Sequence, residues 1–236
     1  MGASILSSKA KVIPGKAASL IKRAVPASVL MALTLAMAVN VTLVSTPVEA
    51  KPKTNLEKGG RTGNWRTGAQ DAPSVEACRE AVKAKPDSAI AHNDLGWALR
   101  QNNNAKEAEV ELRAAVTLDD KLHQAHSNLS VCLLDLGKTQ EAVEEARKAV
   151  GLKQDQPIYH VVLGNALSAS GDNKGAVEEY KLAIEQKPDY ENAYYNLGRV
   201  LDIMGDANEA GKALSQALRL DPDDERVLKI LDRIVK

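Results

Sequence analysis

From Ala89 to Asp224 the sequence repeats with a period of 34 residues and no gap, in four copies that begin at Ala89, His123, Pro157 and Glu191. A period of that length, kept without insertion, confines the chain to a stack of like units. Each unit is too small to bury its apolar side alone, so its neighbours must cover it and one core runs through the stack. The eighth residue of every copy is small: Gly96, Ser130, Gly164 and Gly198. Alanine follows twelve residues later, at Ala108, Ala142, Ala176 and Ala210, and again seven after that, at Ala115, Ala149, Ala183 and Ala217. Small residues at fixed offsets suit two helices that cross closely, because larger side chains would hold the axes apart. Gly137, Gly171 and Gly205 mark the turn between the helices, where glycine adopts a left-handed backbone without a Cβ clash. Pro188 and Pro222 then stop the second helix of the last two copies, since proline lacks the N–H that a helix needs.

This ordering resembles the tetratricopeptide repeat family, whose 34-residue unit is a helix–turn–helix. The resemblance runs from about Pro73 to the C-terminus. It implies an all-α fold, a right-handed α-solenoid of stacked antiparallel helix pairs, and a non-catalytic role in protein–protein interaction with no cofactor. The chain departs from the family at the fourth residue of each copy, an aromatic slot that holds His92, His126, His160 and Tyr194. It also has no Phe, and Asp120 and Gln154 stand where the first two prolines belong. Ankyrin units are excluded, since they run 33 residues under a different signature. The organisation read from the pattern is a signal peptide or anchor at 1–50, a basic linker at 51–72 and a repeat domain at 73–236. Within that domain lie a half repeat at 73–88, full repeats at 89–122, 123–156, 157–190 and 191–224, and a capping helix at 225–236.

Formal charge cancels over the whole chain, with 31 bases and 31 acids, but it is unevenly spread. Residues 1–70 hold ten of the bases and two of the acids, which leaves 71–236 with 21 bases and 29 acids. A surface of net −8 repels phosphate backbones, so nucleic acid is not the expected partner. Cys78 and Cys132 are the only cysteines. They lie two units apart, roughly 20 Å at the usual 8–10 Å per helix layer, against the ~7 Å that a disulfide allows. Both read as small buried hydrophobes.

The N-terminal fifty residues read differently. Lys9, Lys11, Lys16, Lys22 and Arg23 precede an apolar run from Ala24 to Val44, and Val48-Glu49-Ala50 fits a signal-peptidase site. Cleavage after Ala50 is the first reading. A retained anchor is the second, because the run is long enough to span a bilayer. Both put the repeats on the exported, periplasmic or extracellular side, since the basic end stays in the cytoplasm. A bipartite organelle-targeting presequence shares the acid-free start and is the third. The linker carries four glycines, five bases and a solitary Trp65, which reads as resting on the first exposed helix of the domain, as simply solvated, or as a short docking element for a partner.

At 100° per residue, positions 2, 5, 9, 12 and 13 of each copy gather on the side of the first helix that faces the hollow of the superhelix. An amide-rich row results, with Asn93, Asn165 and Arg199 among aliphatic and aromatic neighbours such as Val131. Trp97 and Tyr195 are the expected anchors, exposed side chains whose truncation should cost partner capture without cost to the fold. On its flank, position 6 carries Asp94, Asn128 and Asn196, with Val162 breaking the series. The set partly resembles the asparagine ladder with which some family members hold a peptide main chain. It implies a protein or extended peptide as partner. The family's carboxylate clamp is absent, since positions 5 hold Asn93, Ser127, Val161 and Tyr195 rather than the Lys it requires. Self-association through the terminal helices or the convex face is the alternative use. No residue pattern suggests an enzyme or a metal site. His92, His126 and His160 fall 34 apart, too far to meet on one ion, and read as packing.

Overall fold

The computed structural model describes residues 74–234, and all the elements found there are helices. The leader, the linker and Trp65 lie outside them. Ten helices follow in order: α1 Val75–Ala84, α2 Ala89–Gln101, α3 Ala105–Leu118, α4 His123–Asp135, α5 Thr139–Leu152, α6 Pro157–Ala169, α7 Asn173–Gln186, α8 Glu191–Ile203, α9 Ala207–Leu220 and α10 Glu225–Ile234. The first helices of the four copies are therefore α2, α4, α6 and α8, and the second helices α3, α5, α7 and α9.

Local chemistry sets the helix ends. Ser88 Oγ accepts from Ala91 N–H at 3.3 Å at the start of α2, and the carboxylates of Asp172 and Asp206 do the same for α7 and α9. These caps satisfy donors that the first turn leaves open. Pro157 occupies the first turn of α6, where the missing N–H costs nothing. The turns inside the last three copies pass through Gly137, Gly171 and Gly205 at φ of 73°, 92° and 83°. In the first copy the same register holds Asn103 at φ 60°, which asparagine tolerates better than most residues.

Each pair crosses closely. A Cβ built on Gly96 would stand 2.5 Å from Leu112, one on Gly164 2.6 Å from Tyr180, and one on Gly198 2.6 Å from Leu214. Those three large side chains occupy one register of the second helix and are fully buried. The second copy solves the same contact with the sizes exchanged. Ser130 fills the slot, its hydroxyl donates to the Ala142 carbonyl at 2.8 Å, and the facing register holds Ala146. Slot and knob are thus chosen together, which keeps the volume of the crossing nearly constant.

Successive first helices approach one another directly, while the second helices are spanned by long side chains such as Arg79–Glu107 and Arg113–Glu141. The first helices therefore form the inner, concave layer of a right-handed solenoid. One core runs from Cys78 to Ala213 through both layers. A second, smaller cluster gathers Leu214, Ala217, Leu218, Val227 and Leu231 where α10 covers the end of α9. Both cysteines are free and buried, and burial pushes the Cys132 thiol up to about 11. Among the described residues no helix is long and apolar enough to cross a membrane.

Candidate functional site

The residues read as a groove all sit on the inner helices, but the helices close over much of the row. Asn93, Trp97, Asn128, Val131 and Asn196 are less than a tenth exposed, Trp97 only 3%. Trp97 is a core residue and not the accessible anchor expected above. Truncating its ring would leave a cavity, at a cost of about 3–5 kcal/mol, so Trp97→Ala is a stability variant. Its neighbour Arg100 lies over the ring, 5.5 Å from the centroid, and reaches Asp135 of the next copy at 2.6 Å.

The amides are largely engaged with one another. Asn128 Nδ2 donates to Asn93 Oδ1 at 2.9 Å across two copies, and Asn93 Nδ2 donates to Asp94 at 3.2 Å. Val162, which interrupts the series, is buried. Gln124, only 7% exposed on the same face, keeps Oε1 without a donor. A buried oxygen in that state costs free energy until an N–H reaches it.

The second half of the row is more open. Asn165 and Ser168 of α6 and Tyr195 and Arg199 of α8 are half-buried, as is Ile158 at the start of α6. Tyr180 donates its hydroxyl to Asn165 Oδ1 at 2.8 Å, which orients the amide so that its NH2 group remains to donate. Tyr195 is held from the other side by Arg226, whose guanidinium lies 4.4 Å from the ring centroid. The accessible chemistry is therefore aromatic, amide and cationic, and it belongs to the third and fourth copies.

The three histidines do pack between helices, but as polar fasteners rather than apolar filling. His92 Nδ1 meets Glu111 at 2.7 Å, His126 meets Glu145 at 2.6 Å and His160 meets Glu179 at 2.7 Å. Each Nε2 meets the main-chain carbonyl of the turn before its helix, at Pro86, Asp120 and Gln154, at 2.9, 3.0 and 2.9 Å. Each glutamate follows its histidine by 19 residues, an offset that the sequence repeats three times. His123, one turn before His126 on α4, meets the Tyr159 hydroxyl at 2.6 Å. No group of three or more metal-capable side chains occurs among the described residues.

Comparison with known proteins gives the same picture at low identity. Family models described as tetratricopeptide repeat match residues 74–122, and 123–156 with 191–224, and one described as TPR repeat matches 164–201. Together they span more than half of the chain. No curated protein matches it. Among solved structures, MamA is 24% identical with a TM-score of 0.56, over 63% of this chain and 86% of that one. MamA 41-end from Desulfovibrio magneticus RS-1 is 14% identical with a TM-score of 0.57, over 64% and 85%. TTC0263, a thermophilic TPR protein of Thermus thermophilus, is 16% identical with a TM-score of 0.60, over 68% and 88%. At such identities these structures share a fold with the chain.

Proposed function

The chain belongs to the tetratricopeptide repeat family, and from that premise we propose that it is a non-catalytic scaffold that holds an extended peptide or partner protein against the inner faces of its third and fourth copies. The observation that carries the reading is the half-buried set Asn165, Tyr195 and Arg199 on the adjacent helices α6 and α8. An amide NH2 and a guanidinium donate to main-chain carbonyls, while an aromatic face takes an apolar side chain.

The test is partner capture by the full chain. Tyr195→Ala and Arg199→Ala are each expected to weaken capture tenfold or more, about 1.4 kcal/mol, with helicity unchanged. Full capture by both would remove the groove. A second reading rests on Ile203 and Met204, adjacent at the end of α8 and 57% and 43% exposed. Adjacent exposed apolar residues favour contact between copies. Sedimentation across concentration decides: a monomer throughout removes self-association.

We place the scaffold on the exported side of a membrane on the strength of residues 1–50 alone. Sequencing the mature N-terminus tests this, with Lys51 as the first residue if the leader is cleaved.

A further inference from the structure

Two of the three histidine–glutamate pairs, His126–Glu145 and His160–Glu179, hold more protons than their residue types require. A neutral imidazole has a single N–H. Here both nitrogens of every ring face oxygens: a carboxylate at Nδ1 and a main-chain carbonyl at Nε2. The carbonyl can only accept, so Nε2 carries a proton. The contact at Nδ1 then needs another, which the imidazole holds, being a stronger base than the carboxylate. In the second and third copies the pair therefore keeps one proton beyond a neutral histidine and an ionised glutamate.

We propose that the pairs of the second and third copies are proton-operated clasps, which fasten the turn before each of those copies to its second helix and release the turn when the pH rises. Loss of the proton leaves the ring with one N–H. That N–H stays with the carboxylate, because a charged acceptor binds it about twice as strongly as a neutral one. The bare Nε2 then faces a carbonyl oxygen at 2.9–3.0 Å, lone pair against lone pair, and the turn is pushed away.

The groups around each ring agree with this assignment. His92 meets Glu111 of α3 and the Pro86 carbonyl. Facing His126 are Glu145 of α5, the Asp120 carbonyl and, bound to Glu145 at 2.8 Å, Lys148. Burial pulls His126 down, but the Glu145 and Asp120 bonds outweigh it and leave the ring above the ordinary histidine range. His160 faces Glu179 and Gln186 of α7 and the Gln154 carbonyl, and the Glu179 bond lifts it above that range against burial.

The clasps are not identical. The Gln186 amide lies 3.2 Å from His160 Nε2 and can donate into it once it is bare, so the third clasp opens less than the second. The fourth copy has no clasp, because Tyr194 and Ala213 occupy the two positions. It therefore supplies both a control and a replacement that is already compatible with the fold.

The experiment uses the full chain labelled with 15N. Both ring nitrogens of His126 are expected to be protonated at pH about 6.5, where an ordinary histidine is half titrated. Each unit by which its midpoint stands higher is a tenfold advantage in clasp closure, lost at alkaline pH. Amide exchange at 119–122, corrected for its intrinsic rate, is expected to accelerate by that factor, and exchange at 187–190 to stay flat. Carrying the fourth copy's pair into the second, as His126→Tyr with Glu145→Ala, should flatten the response at 119–122 as well. A His126 ring with one protonated nitrogen at that pH overturns the proposal, as does an unchanged response in the replaced chain. Should the replaced chain not fold, the ring nitrogens of the unaltered chain decide alone.

Discussion

Among single residues, two glycines make opposite demands. Gly164 lies under the Tyr180 ring, which is fully buried and held by Asn165, so an added methyl has no room. Overpacking of about 1–3 kcal/mol outweighs the ~1 kcal/mol that alanine gains over glycine as a helix former. Gly164→Ala is therefore expected to lower the midpoint of urea unfolding. Gly151, exposed in the last turn of α5, has nothing within 4 Å of a built Cβ and no positive φ. Gly151→Ala is expected to raise that midpoint, through a gain of about 0.4–1 kcal/mol in stability. The sequence presents both as helical glycines, and only register tells them apart: Gly164 recurs at 34 residues and Gly151 does not.

For the helices, the boundaries were legible because the period locates every turn, Asn103 included once it is aligned with Gly137. What hides is pairing between helices. Glu145 and Glu179 stand in runs of charged residues where a solvated glutamate is ordinary, so the partners of the histidines show only through the 19-residue offset. The burial of Trp97 hides for another reason. A helical wheel places it toward the hollow, but how far the hollow is open depends on how closely successive inner helices approach, a property of no single helix. The ion cluster where α10 meets α8 was equally illegible. Glu191, Asp224 and Arg226 meet there, with Arg226 2.7 Å from Asp224 and 3.3 Å from Glu191. Burial, together with the Asp224 carboxyl beside it, lifts Glu191 to about 7, while the Arg226 bonds overcome burial and hold Asp224 below its usual range. A raised acid stabilises the fold below its unfolded value, and that contribution fades as the pH climbs through about 7. Asp224 has the opposite sign, contributing above its unfolded value and losing this only in strong acid. The attachment of α10 is thus expected to weaken from pH 6 to 8, seen as faster amide exchange along α10 after correction for its intrinsic rate. Glu191→Gln is expected to abolish the step.

At the scale of the whole molecule, contacts among the described helices run between neighbours along the solenoid, so stability is assembled from neighbour to neighbour. The division of the core matters here. The cluster of Leu214, Ala217, Leu218, Val227 and Leu231 is separate from the one that runs through the rest. Segments with their own small core open as units below the global free energy. The end of α9 and all of α10 are expected to exchange amide protons together and before α4–α7, in native-state hydrogen exchange at low denaturant. Uniform protection from α2 to α10 would show a single cooperative body. The clasps act on the other part of the array, so alkaline pH loosens the second and third copies and the α10 junction while the body of the fourth copy stays shut. The reciprocal sizes at the helix crossings have a further consequence, for how such an array can be rebuilt. A first helix bearing Ser130 fits a second helix bearing Ala146, and would collide with Tyr180 if grafted onto the third copy. Inner and outer helices are therefore not separate spare parts. Any recombination, natural or engineered, that cuts within a copy mismatches a slot and its knob, whereas one that cuts at the turns between copies keeps each matched pair intact.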